Sequence, residues 1–176
     1  MATALKIDGD KLELIAADFA ATEKQIDVAC KRAISKLARH LKTVALRETS
    51  KVTGIKQAVL KKRLFVSFGG GRNTSRLWFG LYGVPLREMN PNQNRTGVQA
   101  GKIERKHGFI QQRGGKTEVY RRVTLEKGTD NRLPIAIQTA KIDQAIKHVI
   151  EADILKAFER KFYIFFEREM KWESSK

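Results

Sequence analysis

"GFIQQRGGKTEVYRRV", residues 108–123, alternates like two strands joined by a glycine turn. Gly114 and Gly115 supply the positive φ that a two-residue hairpin turn needs. The arms then pair as Phe109–Arg113 against Lys116–Val123. Alternation puts Val119, Arg121 and Val123 on one face and Glu118, Tyr120 and Arg122 on the other. The hairpin carries Gln111 and Gln112 on one arm, Arg121 and Arg122 on the other, and no catalytic pattern. Its setting between helical stretches makes the expected fold α+β, a small antiparallel β-sheet packed against a long N-terminal helix and a C-terminal helix.

Upstream, Leu12, Ile15 and Phe19 have helical spacing, after a possible short strand in "TALKID", 3–8, and a helix start at "DGD", 8–10. Thr22 and Gln25 are spaced as a capping box. Residues 23–49 then place Ile26, Ala29, Ala33, Leu37, Leu41 and Val44 on one stripe and Lys24, Lys31, Arg32, Lys36, Arg39, Lys42 and Arg47 on the other face. This is a long amphipathic helix, basic outside. A break at Val52–Gly54 and a short basic helix to about Lys62 give the outline of a helix-turn-helix, which ordinary helical hairpins share.

"LFVSF" and "RLWFGLYGVPL" are strand chemistry, joined through "GGGRN", which lacks the Lys-Ser/Thr ending of a phosphate loop. Leu77, Phe79 and Leu81 lie on one face and Trp78 and Tyr82 on the other, so this strand is expected to be covered on both sides, by the long helix and by another element or subunit. "REMNPNQNRTGVQAGKIERK", 87–106, reads as a long polar loop, flexible over about 87–101. "EKGTDNRLP" is a loop and "PIAIQ" a last short strand. Residues 141–171 close the chain as a helix whose apolar stripe, including Ile154, Phe158, Phe162 and Phe165, is wide enough for deep packing or a subunit contact. No domain boundary is visible, and residues 1–176 read as a single domain.

The 35 Lys and Arg against 19 Asp and Glu leave a net charge of +16, which points to an anionic partner. Lys102, Arg105, Lys106, Arg113, Lys116, Arg121 and Arg122 face only Glu104 and Glu118 within residues 102–122, and these seven bases are the candidate DNA-facing set. No apolar run approaches the roughly 20 residues that span a bilayer, and the N-terminus has no secretory pattern. The single Cys30 excludes an intramolecular disulfide and reads as a buried thiol. His40, His107 and His148 fit no metal-ligand spacing. Catalytic residues, metal and cofactor are therefore none, and the expectation is a protein that is not an enzyme.

"GFIQQRGGKTEVYRRV", followed by "RLPIAI" and "AIKHVIEADILKAFERKFYIFFEREMK", resembles the minor tail protein Z family of long, non-contractile-tailed phages, also called tail completion proteins. The upstream helix resembles the family's N-terminal half through Leu46-Arg47-Glu48-Thr49, and the similarity covers roughly residues 26–171. Its most specific part is Phe109-Ile110-Gln111-Gln112 with Val119, Arg122-Val123 and Pro134-Ile135. Some members carry a dense arginine run where this chain has "NPNQNRTGVQAG", so DNA contact by that loop does not carry over.

The resemblance implies a structural virion protein acting at the head-proximal end of the tail, similar in fold to neck and tail-terminator proteins. Its implied partners are copies of itself in a ring, with six the common number, the tail terminator, tail tube and head–neck proteins, and phage DNA held by nonspecific phosphate contacts. It would be assembled in the host cytoplasm, with no membrane partner. Trp78, Phe79, Tyr82, Gln111, Gln112, Phe162, Phe165 and Phe166 are the expected subunit-interface residues. The alternative is a soluble DNA-binding protein using the basic helical pair 35–62.

Overall fold

The computed structural model describes residues 7–68, 73–123 and 134–175. Residues 3–6 of the expected strand at 3–8, most of the "GGGRN" connection and nearly all of "EKGTDNRLP" lie outside them, and Ile7 and Asp8 are not in a strand. The fold is α+β. Helices α1 (Gly9–Asp18), α2 (Glu23–Thr53) and α3 (Gln57–Lys61) precede strands β1 (Leu64–Phe68), β2 (Ser75–Phe79) and β3 (Val84–Pro85) and a 3-10 turn, Leu86–Met89. Strands β4 (Asn92–Gln93), β5 (Gly97–Ala100), β6 (Ile103–Lys106), β7 (Gly108–Arg113), β8 (Lys116–Arg122), β9 (Ile135–Ile137) and β10 (Thr139–Ala140) follow. Helix α4 (Asp143–Val149), a π turn (Ile150–Ile154) and α5 (Leu155–Ser174) end the described chain.

The helix starts follow local chemistry. Asp8 caps α1, its carboxylate accepting from the Asp10 N–H at 3.1 Å. Thr22 and Gln25 form the expected reciprocal box: Thr22 N–H donates to Gln25 Oε1 at 2.9 Å, and Gln25 N–H to Thr22 Oγ1 at 3.4 Å. Helix α2 ends at Thr53, with Gly54 at φ 72° turning the chain out of the helix.

Strands gather in four small antiparallel sheets and not in one: β1–β2, β3–β10, β4–β5–β6 and β7–β8–β9. The described residues form two compact units, each assembled from separate segments. A linear walk offers no boundary for such a division. The first unit holds residues up to Ala45, Leu64–Phe79 and Val149 onward; the second holds Leu46–Arg63 and Gly80–His148.

In the first unit, Ala29, Ala33, Leu37 and Leu41 of α2 and Phe162, Tyr163, Phe166 and Met170 of α5 are buried. Two carboxylates one turn apart on α5 answer two bases one turn apart on α2: Glu169 pairs with Lys36 and Glu173 with Arg32. Arg32 and Lys36 are therefore not simply solvated, and Glu169 and Glu173 are buried. Packing selects within this wide stripe: Ile154, Phe162, Phe166 and Met170 turn inward, while Phe158 and Phe165 stay half-exposed.

In the second unit, the expected flexible loop at 87–101 is ordered instead as the 3-10 turn, β4 and β5, and β6 continues to Lys106. Asn94 builds the turn that starts it: its Oδ1 accepts from the N–H groups of Thr96 and Gly97 at 3.0 and 2.8 Å. Gly97 is required, because a Cβ there would fall 2.2 Å from the Arg105 carbonyl oxygen. Val98 and Ala100 are completely buried. Polar composition hid an alternating Val98-Gln99-Ala100 strand.

Candidate functional site

Strands β7 and β8 pair in the expected register, from Gly108 opposite Arg121 to Arg113 opposite Lys116. Gly114 and Gly115, at φ 58° and 75°, make the turn. The two ends of this hairpin differ. Residues 111–117, the whole tip, are exposed, whereas Glu118, Val119 and Tyr120 at the base are buried in succession. Strand β9 pairs beside β8, and the Phe109 and Tyr120 rings stack across the strands at 6.0 Å. The result is a polar arm with an anchored root.

Glu118 is the residue sequence reading missed. Alternation assigned its face but not its cover, and the 3-10 turn Leu86–Met89 packs over β8. There Glu118 is ion-paired with Arg87, while its Oε2 is buried without a hydrogen-bond partner. A buried carboxylate is tolerated when a base neutralises it. Gln111 lies directly opposite Glu118 yet is exposed, as is Gln112 on the other face of the strand.

The seven candidate DNA-facing bases do not form one surface. Arg113, Lys116 and Arg122 share a face of the β7–β8 hairpin; Arg121 points to the other, across from Gly108. Arg113 and Lys116 sit directly opposite at the tip, a like-charge pair that disfavours the hairpin in isolation. Lys102 and Lys106 are exposed on the neighbouring sheet, and the Lys102 stem lies near Gly54. Arg105 is corrected as a phosphate ligand: half-buried, it donates to the carbonyls of Thr139 at 3.1 Å and Glu104 at 3.3 Å.

The expected interface residues separate as well. Phe162 and Phe166 have no exposure at all, since they fill the α2–α5 core, and cannot present themselves to another subunit. Phe165 is half-exposed and meets His40 edge-on at 5.9 Å. Phe79, on the inner face of β2, is half-buried, and Trp78 on the outer face is exposed. Of the two-sided cover expected for this strand, no element among the described residues lies over the Trp78 side, where Phe65 of β1 pairs with it and the rings lie 5.8 Å apart. Tyr82 is exposed but not free on both ring faces: the buried Arg63 guanidinium sits 4.1 Å from its centroid and donates to the Tyr82 carbonyl at 2.8 Å.

The Leu46-Arg47-Glu48-Thr49 segment is structural on one side and solvated on the other. Leu46 and Thr49 are buried; Lys51 and Arg47 bond to the Glu48 carboxyl and hold it below the usual carboxylate range. Burial pushes the Cys30 thiol up, with Asp27 adding to the effect, which keeps it protonated and a poor nucleophile. Among the described residues, no group of three His, Cys, Asp or Glu side chains could hold a metal ion, and no helix is long and apolar enough to cross a membrane. Comparison of the chain with protein-family models, curated proteins and solved structures gave no match.

Proposed function

We propose that this chain is a structural virion protein that completes a phage tail at its head-proximal end, allowing the head to join and the DNA end to be seated. In this reading it acts as a subunit of a ring around the DNA channel, six copies being the expected number, with the tail terminator, tail tube and head–neck proteins as its partners. The observation that carries it is the exposed arm of residues 111–117, with Arg113 opposite Lys116 at its tip. An arm with an anchored root, a like-charge pair and no ion-pair partner among the described residues is suited to meet an anion or a neighbouring subunit. The Phe109-Ile110-Gln111-Gln112 resemblance runs into this same arm. Gln111 and Gln112 serve subunit contacts; Arg113, Lys116 and Arg122 meet phosphate without reading sequence.

The helical-pair alternative is weakened by the length of α3. It has five residues, of which Val59 and Leu60 are buried, leaving little surface to enter a groove. The test is electron microscopy of particles made from the phage genome with this gene deleted. Full heads with missing or unjoined tails are expected, restored by the natural gene and not by Arg113→Glu with Lys116→Glu. Normal infectious particles from the deletion would overturn the reading.

A further inference from the structure

The first unit carries two exposed surfaces of opposite character. The outer face of the β1–β2 hairpin presents Phe65 and Trp78, 54% and 55% exposed, beside Ser67 and Arg76. Arg76 has no ion-pair or hydrogen-bond partner among the described residues; Arg39, 5.8 Å from the Phe68 ring, lies on the inner side, toward α2. Helix α1 is the acidic island of a strongly basic chain. Leu14, 70% exposed, has Asp10 and Asp18 one turn to either side and Glu13 next to it. None of those three acids is ion-paired among the described residues. The helix's one base, Lys11, is turned toward α5, its Nζ 4.3 Å from the Tyr163 ring centroid and 3.9 Å from Glu159.

We infer that α1 of one copy docks on the outer face of the β1–β2 hairpin of the next, Leu14 seating against Phe65 and Trp78 while Asp10, Glu13 and Asp18 surround Arg76. The dimensions agree: ten helical residues span about 15 Å at ~1.5 Å each, and five strand residues about 17 Å at ~3.3 Å each. Each half leaves apolar area open and carries the charge the other lacks. Within one copy the two surfaces belong to elements tied to different helices. Helix α1 is held on α5 by Lys11 and by the Tyr163 hydroxyl donating to the Asp8 carbonyl at 3.3 Å; the hairpin meets α2, Asn73 donating to Asp27 at 2.9 Å.

The same contact between α1 and the hairpin can be made reciprocally in a two-fold pair or head-to-tail; in the ring of the proposed function it runs head-to-tail, which closes when the rotation permits. This deepens the self-assembly part of the proposed function and rests on that part, not on the virion role.

The test uses the full chain with the buried Cys30 changed to alanine, so that engineered thiols report alone. Leu14→Cys protein mixed with Ser67→Cys protein should cross-link under a short bis-maleimide, while either alone should yield at least tenfold less product. Cross-linking should fall at least fivefold when Asp10, Glu13 and Asp18 are all changed to lysine in the Leu14→Cys partner, and should recover when the Ser67→Cys partner also carries Arg76→Glu. Three results would overturn the contact: no cross-link in the mixture at high protein concentration, equal cross-linking of Ser67→Cys protein with itself, or loss of the mixed product on adding a single-stranded oligonucleotide but not salt. The last would assign the aromatic face to nucleic acid. None of the three would touch the deletion experiment, so the contact and the virion role fail separately.

Discussion

Two hairpins of similar length are stabilised in opposite ways. The β7–β8 hairpin is buried at its root on both faces, joined by β9, and polar along its whole tip. The β1–β2 hairpin has no third strand among the described residues; it keeps Leu64 fully buried on its inner face and leaves Phe65 and Trp78 open on the outer one. A lone two-stranded hairpin is marginal in water. The first hairpin therefore depends on the helical core of its unit, whereas the second carries its own sheet. The difference teaches that alternation tells which residues share a face, while stability depends on what lies over that face.

The sharpest way to break this contrast is at the helical core. Phe162→Ala should cost about 3–5 kcal/mol through lost burial and the cavity left behind. By hydrogen exchange, α2, α5 and β1–β2 should lose protection well before β7–β8. Equal loss in both hairpins would show that the first is not specially dependent on the helices.

Next in size is the root of the second hairpin. Arg87→Ala removes the base paired with Glu118 and should destabilise by about 1–3 kcal/mol, because a buried carboxylate is left without its partner. Glu118→Gln in the same chain should recover part of the loss in a denaturant titration; no recovery would mean that Arg87 acts through packing alone. At the turn, Gly115→Ala should cost about 1–2 kcal/mol, since an alanine must adopt the left-handed conformation at φ 75°. A melting temperature unchanged by that substitution would mean that the turn can move to another geometry.

The smallest effect on folding should come from the tip. Gln111→Ala with Gln112→Ala should leave stability within about 0.5 kcal/mol, as surface changes do, while complementation of the deleted phage should fail. Full complementation would remove the two glutamines from the contact surface.

Much of the fold was legible. Thr22 and Gln25, three residues apart, announce a helix start because each side chain can reach the other's backbone N–H. Gly114-Gly115 announces its turn because two successive positive φ angles are cheap only for glycine. The strands within 87–106 were not legible, because β5 buries only the small residues Gly97, Val98 and Ala100 amid polar neighbours, and a short strand held by its flanking strands β4 and β6 has a faint pattern. At the candidate site, the faces on which Arg113, Lys116, Gln111 and Gln112 lie followed from the alternation and the turn, but their exposure did not. The occupation of Arg105 by the Thr139 carbonyl did not, since that partner lies 34 residues away.

By itself the sequence determined the helix caps, the register and turn of the β7–β8 hairpin, the basic balance of the surface and the α+β class, because each is set by residues within a few positions of one another or by composition. Tertiary structure alone decided that Phe162 and Phe166 are core, that Glu118, Glu169 and Glu173 are buried against Arg87, Lys36 and Arg32, and that Trp78 stays uncovered among the described residues. Burial and ion pairing are properties of neighbours in space, and a segment far along the chain is enough to reassign them.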